Sequence, residues 1–149
     1  MDKEQAPVID ATKLRILLVR LTKCSFEVNR DFTQTEKGEI NLQYGITLER
    51  QYPTEYLGVL RFGMGAFLNE ENAPFRVHVE YEGHFQVNDG HAANLKEYMR
   101  YNAVATLVPY VRETISTIST RAGFPPLIVP PLNVKMLADE QEVVSRAAE

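Results

Sequence analysis

From Ile40 to Glu49 apolar and polar side chains alternate without interruption. Ile40, Leu42, Tyr44, Ile46 and Leu48 therefore share one face of a strand whose other face is polar. Upstream, Leu14–Leu21 is apolar on both faces before the pattern settles into alternation at Cys24, Phe26 and Val28. This predicts a strand buried on both sides at its start, with a bend near Lys23. Gln51-Tyr52-Pro53-Thr54 reads as a turn, because proline fixes φ and cannot donate to a ladder. A third strand, from about 55 to 68, carries Tyr56, Leu60, Phe62, Met64, Ala66 and Leu68 on one face. Gly58 interrupts that face, and Gly63 and Gly65 sit opposite, where another backbone can approach closely. After the polar turn Asn69–Asn72, alternation returns over Phe75–Glu82 and continues through Phe85 and Val87. Four strands joined by short polar turns predict an antiparallel, meander-like sheet.

Beyond Asn88-Asp89-Gly90 the period becomes helical. Leu95, Met99, Leu107, Val111, Ile115 and Ile118 recur at three- and four-residue steps or their multiples. Pro109 inside this run predicts a kink or two abutting helices, since it removes a hydrogen bond and crowds the preceding turn. Gly123 suits the position just past the helix end, with Phe124-Pro125 as the stop. A last helix is expected over about 134–147, with Leu137, Val144 and Ala148 near one stripe. The fold class is α+β: a single domain over 1–149, with 1–11 a loose tail, in which the sheet is followed by a long kinked helix, a proline-rich crossing loop and a C-terminal helix.

Composition narrows the function. The 149 residues are 44% hydrophobic and 24% charged, the balance of a globular protein. A net charge of −4 without a Lys/Arg cluster argues against nucleic-acid binding. The lone Cys24 excludes an intramolecular disulfide and points to a reducing compartment. The charged start Met1-Asp2-Lys3-Glu4-Gln5 has no apolar signal core behind it. No apolar stretch nears the roughly 20 residues of a membrane span, so a cytoplasmic protein without membrane insertion is expected.

Candidate chemistry is sparse. His78 and His84 would share a strand face, with a bulge expected at Gly83, but neither they nor His91 has a Cys or carboxylate at a zinc spacing. Cys24 reads as a small apolar strand residue rather than a nucleophile. Glu70-Glu71 falls in a turn and Glu80/Glu82 on a solvated strand face. Gly58, Gly63 and Gly65 precede no helix and make no phosphate loop, and Asp139, Glu140 and Glu142 mark the wet side of the last helix. No enzyme, metal or cofactor is expected, and a small-ligand carrier lacks the convergent polar groups it would need.

One segment stands out. Gly123–Val134 holds six large apolar side chains and four prolines in twelve residues. Loops are ordinarily polar because their backbone meets water. Burying each such side chain is worth about 1.5–3 kcal/mol. Either the segment packs on the sheet or on another subunit, or it forms one wall of an apolar groove for extended polypeptide. Spacing does not choose between them.

The stretch Tyr110–Val134 resembles the SecB family of export chaperones. The likeness rests on Pro109-Tyr110 with Arg112-Glu113, on Arg121 with Phe124-Pro125, and on the close Pro131-Leu132-Asn133; Ser25-Phe26-Glu27 also matches. The resemblance implies an ATP-independent holdase that binds unfolded client polypeptides as a homotetramer, a dimer of dimers. Its groove would be formed by Phe124, Leu127, Val129 and Leu132, with Leu137 and with Ile40, Leu42 and Tyr44. Leu127→Asp with Val129→Asp is then expected to abolish client binding and leave the fold intact. The family's tryptophan before the second strand is absent, Thr35-Glu36-Lys37 standing in that neighbourhood. Glu27 keeps one acid of the surface that docks the SecA motor ATPase. Lys23, Arg76 and His78 occupy positions where acidic or apolar residues are expected, which argues against that docking. The alternative is a chaperone dedicated to one partner, such as an antitoxin, that needs no motor.

Overall fold

A computed structural model describes residues 14–32, 44–67 and 72–129. Strands β1 (Leu14–Val28), β2 (Tyr44–Thr54), β3 (Leu57–Ala66) and β4 (Phe75–Val87) are followed by a 3-10 turn at Asp89–Asn94. Helices α1 (Leu95–Arg100) and α2 (Asn102–Arg121) complete the described elements. The α+β class is as expected, with all strand pairs antiparallel in the order β1-β4-β3-β2. The meander holds for β2, β3 and β4, whereas β1 lies beside β4 rather than beside β2. That is a Greek-key arrangement: β1 lies beside β4, and only β2, β3 and β4 stay in sequence order.

Both helices lie on one side, over β3 and β4. Leu60, Phe62 and Met64 of β3 and Val79 and Phe85 of β4 are fully buried against Leu107, Val111 and Ile115 of α2. Gly58 interrupts the apolar face of β3 because Met99 fills its place; a Cβ there would meet Met99 Sδ at 2.5 Å. By contrast β1, at the sheet edge, is not buried on both sides. Ile16, Leu17, Leu18 and Leu21 are 39–51% exposed, beyond the reach of the helices. The bend expected near Lys23 is present as a register shift between Leu21 and Lys23, and a second shift falls between Ile16 and Leu18. Both shifts place the extra residue in β1, opposite the His84–Phe85 and Glu80–Tyr81 steps, while Gly83 pairs regularly with Val19 and β4 itself carries no bulge.

Two boundaries differ from the expectation. Gln51–Thr54 is the end of β2, not a turn, and the chain reverses at Glu55-Tyr56. β2 is the other edge strand, where Pro53 need not donate to a ladder. The helical run is indeed two abutting helices, but the joint is at Tyr101 (φ −114°, ψ −55°) and α2 continues through Pro109. At the joint, the Arg50 guanidinium donates to the carbonyls of Met99 (3.2 Å) and Arg100 (3.3 Å), anchoring the end of α1 to β2. Pro109 and Ala105, whose carbonyl loses its helical partner, are both exposed, so water can satisfy the freed oxygen.

Candidate functional site

The end of α2 is built as the sequence suggests. Gly123 has φ +91°, a conformation that costs glycine nothing. The Gly123 N–H donates to the Thr120 carbonyl (3.0 Å) and the Phe124 N–H to the Ser119 carbonyl (3.1 Å), the bond pair of a Schellman motif. This turn drops the Phe124 ring onto the sheet, 4.8 Å from Phe75 and 6.3 Å from Phe26, while Phe26 stacks on Phe75 at 4.9 Å. Phe67, the one non-glycine residue with positive φ among those described, closes the cluster edge-on to Phe75 at 5.2 Å.

The chain then runs back along α2, fastened at two points. Ser119, buried and polar, donates through Oγ to the Ser116 carbonyl (3.0 Å) and accepts the Leu127 N–H (2.9 Å). Arg112 donates from Nε (3.1 Å) and Nη2 (2.8 Å) to the carbonyl of Val129. Three successive apolar residues are thereby sorted. Leu127 is half-buried against the core, Val129 is 1% exposed, and Ile128 between them is 72% exposed.

Of the residues proposed for a groove, Phe124, Leu127 and Val129 are drawn together on the sheet side of this segment. Tyr44 is half-buried, its hydroxyl pKa raised by burial. Register places it in one row with Ala66, Val77 and Phe26, so it stands across the sheet from the strand that Phe124 touches. Ile40, Leu42, Leu132 and Leu137 lie outside the described residues. Ile128, between Leu127 and Val129, is the most exposed large apolar side chain among those described. The Leu127→Asp and Val129→Asp pair cannot leave the fold intact, because it would put a charge at a fully packed position.

The opposite face of the sheet is charged. Register interleaves both signs across it. Glu49 pairs with Arg61 (3.3 Å), and Glu82 bonds Arg20 (2.7 Å) and His84 (3.0 Å). His84 and Arg20 together hold the Glu82 carboxyl below its ordinary pKa, against the opposing effect of burial. Lys23 stands opposite Glu80, and Glu80 approaches His78 at 3.5 Å. Partial burial, reinforced by Lys23, lowers the pKa of His78, with Glu80 acting the other way. Glu27 is across from Arg76, both at a polar notch of about 240 Å³ shared with Asn29, Arg30 and Asp31. His78 and His84 do share a face, but each is engaged with its own glutamate. Among the described residues no His/Cys/Asp/Glu group could hold a metal, and no helix is long and apolar enough to cross a membrane.

Comparison with known proteins agrees with this architecture. Residues 9–143 match the family described as preprotein translocase subunit SecB. The protein-export protein SecB of Nitrosospira multiformis is 30% identical over 138 residues, covering 91% of this chain and 84% of that one. An uncharacterised protein of Methanocaldococcus jannaschii, MJ0357, is 32% identical over 105 residues, covering 70% and 68%. Among solved structures, the SecB-like chaperone Rv1957 of Mycobacterium tuberculosis, in complex with a ChAD peptide from the HigA1 antitoxin, superposes with a TM-score of 0.59. That superposition is at 21% identity and covers 82% of this chain and 93% of that chain. The strand order, the helix end at Gly123 and the match over nearly the whole sequence together show that this chain belongs to the SecB family.

Proposed function

We infer that the protein is an ATP-independent chaperone of the protein-export type, a holdase that captures unfolded or extended polypeptides on an apolar surface centred on the segment after α2. The observation that carries this reading is Ile128, 72% exposed in a stretch whose neighbours are packed. Covering such a side chain with a client's apolar group is worth about 1.5–3 kcal/mol and requires no particular client sequence. Prolines at 125 and 126 limit the backbone entropy lost when a client binds. Tyr44 and Phe124 supply further apolar surface, and Ile40, Leu42, Leu132 and Leu137 extend it.

The working unit in this reading is a homotetramer in the cytoplasm. The uncovered apolar side chains of β1 support assembly, because several exposed together favour contact with another surface. The function needs no catalytic residue. Docking to a SecA-type motor is not favoured. Arg20, Lys23, Arg61 and Arg76 are matched on the outer face by Glu27, Glu49, Glu80 and Glu82, leaving no acidic field for a basic partner.

Mixing the protein with a diluted, aggregating unfolded client tests the proposal. Stoichiometric amounts should suppress light scattering without nucleotide; scattering equal to that of client alone would reject it.

A further inference from the structure

Leu127, Ile128 and Val129 are chemically similar, and nothing in their own properties decides which of them faces outward. In an extended segment alternate side chains point to opposite sides, so fixing the backbone at two places fixes the choice. The structure has those two fixings, and both come from α2. Ser119 Oγ accepts the Leu127 N–H at 2.9 Å, and Arg112 binds the Val129 carbonyl through two N–H groups at 3.1 and 2.8 Å. Both tethers bear on the backbone of residues whose side chains turn inward, and the untethered residue between them is Ile128.

We propose that Arg112 and Ser119 are positioning residues of the client-binding segment, a two-point clamp that presents Ile128 to the client by holding Leu127 and Val129 against the core. This rests on the holdase reading above and assigns the residues that set its binding surface. Arg112 is the stronger point, since a charged donor making two bonds to one carbonyl restrains direction as well as distance. Arginine is also required by shape. Lysine, a single flexible ammonium, can replace the charge but not the paired geometry. Ser119 is the weaker point, and its hydroxyl is already oriented by its bond to the Ser116 carbonyl.

The test compares wild type with Arg112→Met, Arg112→Lys, Ser119→Ala and, as a direct-contact control, Ile128→Asp. Each is measured for affinity towards a permanently unfolded, non-aggregating model polypeptide and for amide hydrogen exchange at Leu127. Far-UV circular dichroism establishes that α2 is retained. Arg112→Met is expected to weaken client affinity about tenfold, the scale of a lost charged hydrogen bond. It should also speed exchange at Leu127, with Arg112→Lys between it and wild type. Ser119→Ala should accelerate exchange at Leu127 most and weaken affinity by a smaller factor. If wild type binds, Ile128→Asp does not, and Arg112→Met binds as wild type does, the clamp is wrong while the holdase reading stands. If wild type binds no unfolded polypeptide, the holdase reading fails, and the clamp fails with it as a device for presenting a client-binding side chain. Unchanged exchange in both Arg112→Met and Ser119→Ala would overturn the clamp whatever the affinities. Should Arg112→Met not fold, Arg112→Lys and Ser119→Ala decide by the same two readouts.

Discussion

The two inner-sheet strands and the edge strand β1 are comparably apolar in sequence yet live in different surroundings. On β3, Leu60, Phe62 and Met64 have no exposed surface; on β1, Ile16, Leu17, Leu18 and Leu21 keep 39–51% of theirs. The difference comes from position, because the helices cover β3 and β4 and stop short of the edge. Hydrophobicity alone therefore does not say what a residue is for. The apolar surface that β3 and β4 bury stabilises the fold, and the apolar surface that β1 and Ile128 leave open is available to other chains.

Four variants press on this contrast. Phe62→Ala should have the largest effect, removing about 3–5 kcal/mol of stability in a denaturant titration, since the cavity lies between sheet and helix and cannot collapse. Val129→Asp comes next: a charge at a fully packed site should lower the thermal midpoint strongly, whereas Ile128→Asp, one residue away, should stay within about 0.5 kcal/mol of wild type. An equal loss from both would mean that the sorting of this segment is not as described. On the edge strand, Ile16→Lys with Leu18→Lys should leave the circular dichroism spectrum unchanged but reduce the molar mass seen by light scattering. Retention of the full mass would show that β1 is not an assembly surface.

The smallest effect concerns pH. Because His78 is held below the usual histidine pKa, the unfolded chain takes up its proton first. Its contribution to stability is therefore complete above about pH 6.5 and declines as pH falls from there through the lowered folded value. His78→Gln should flatten that part of the stability-versus-pH curve. An unchanged slope would indicate that another group is responsible.

How much of this was legible in the sequence follows from the range of each interaction. Strands β2 and β4 were readable because alternation is a local signal, and the end of α2 because Gly123 and Phe124-Pro125 act within one turn. The place of β1 beside β4 was not, since the route of the connection after it leaves no mark in the hydrophobic pattern. The joint at Tyr101 was hidden for a similar reason: it is associated with Arg50, distant in sequence, binding the Met99 and Arg100 carbonyls, while the conspicuous Pro109 sits on an exposed flank where its missing bond does little. At the candidate site, composition identified the segment but could not rank Leu127, Ile128 and Val129. Their sorting depends on Ser119 and Arg112, polar side chains of a different element.

The most direct test of the central claim compares wild-type protein with Ile128→Asp in suppressing aggregation of an unfolded client, at equal stoichiometry and with folding verified for both. Wild type should keep the client soluble, and Ile128→Asp should lose most of this capacity with its stability nearly unchanged. Equal suppression by the two proteins would contradict the assignment of the exposed segment after α2 as the client-binding surface.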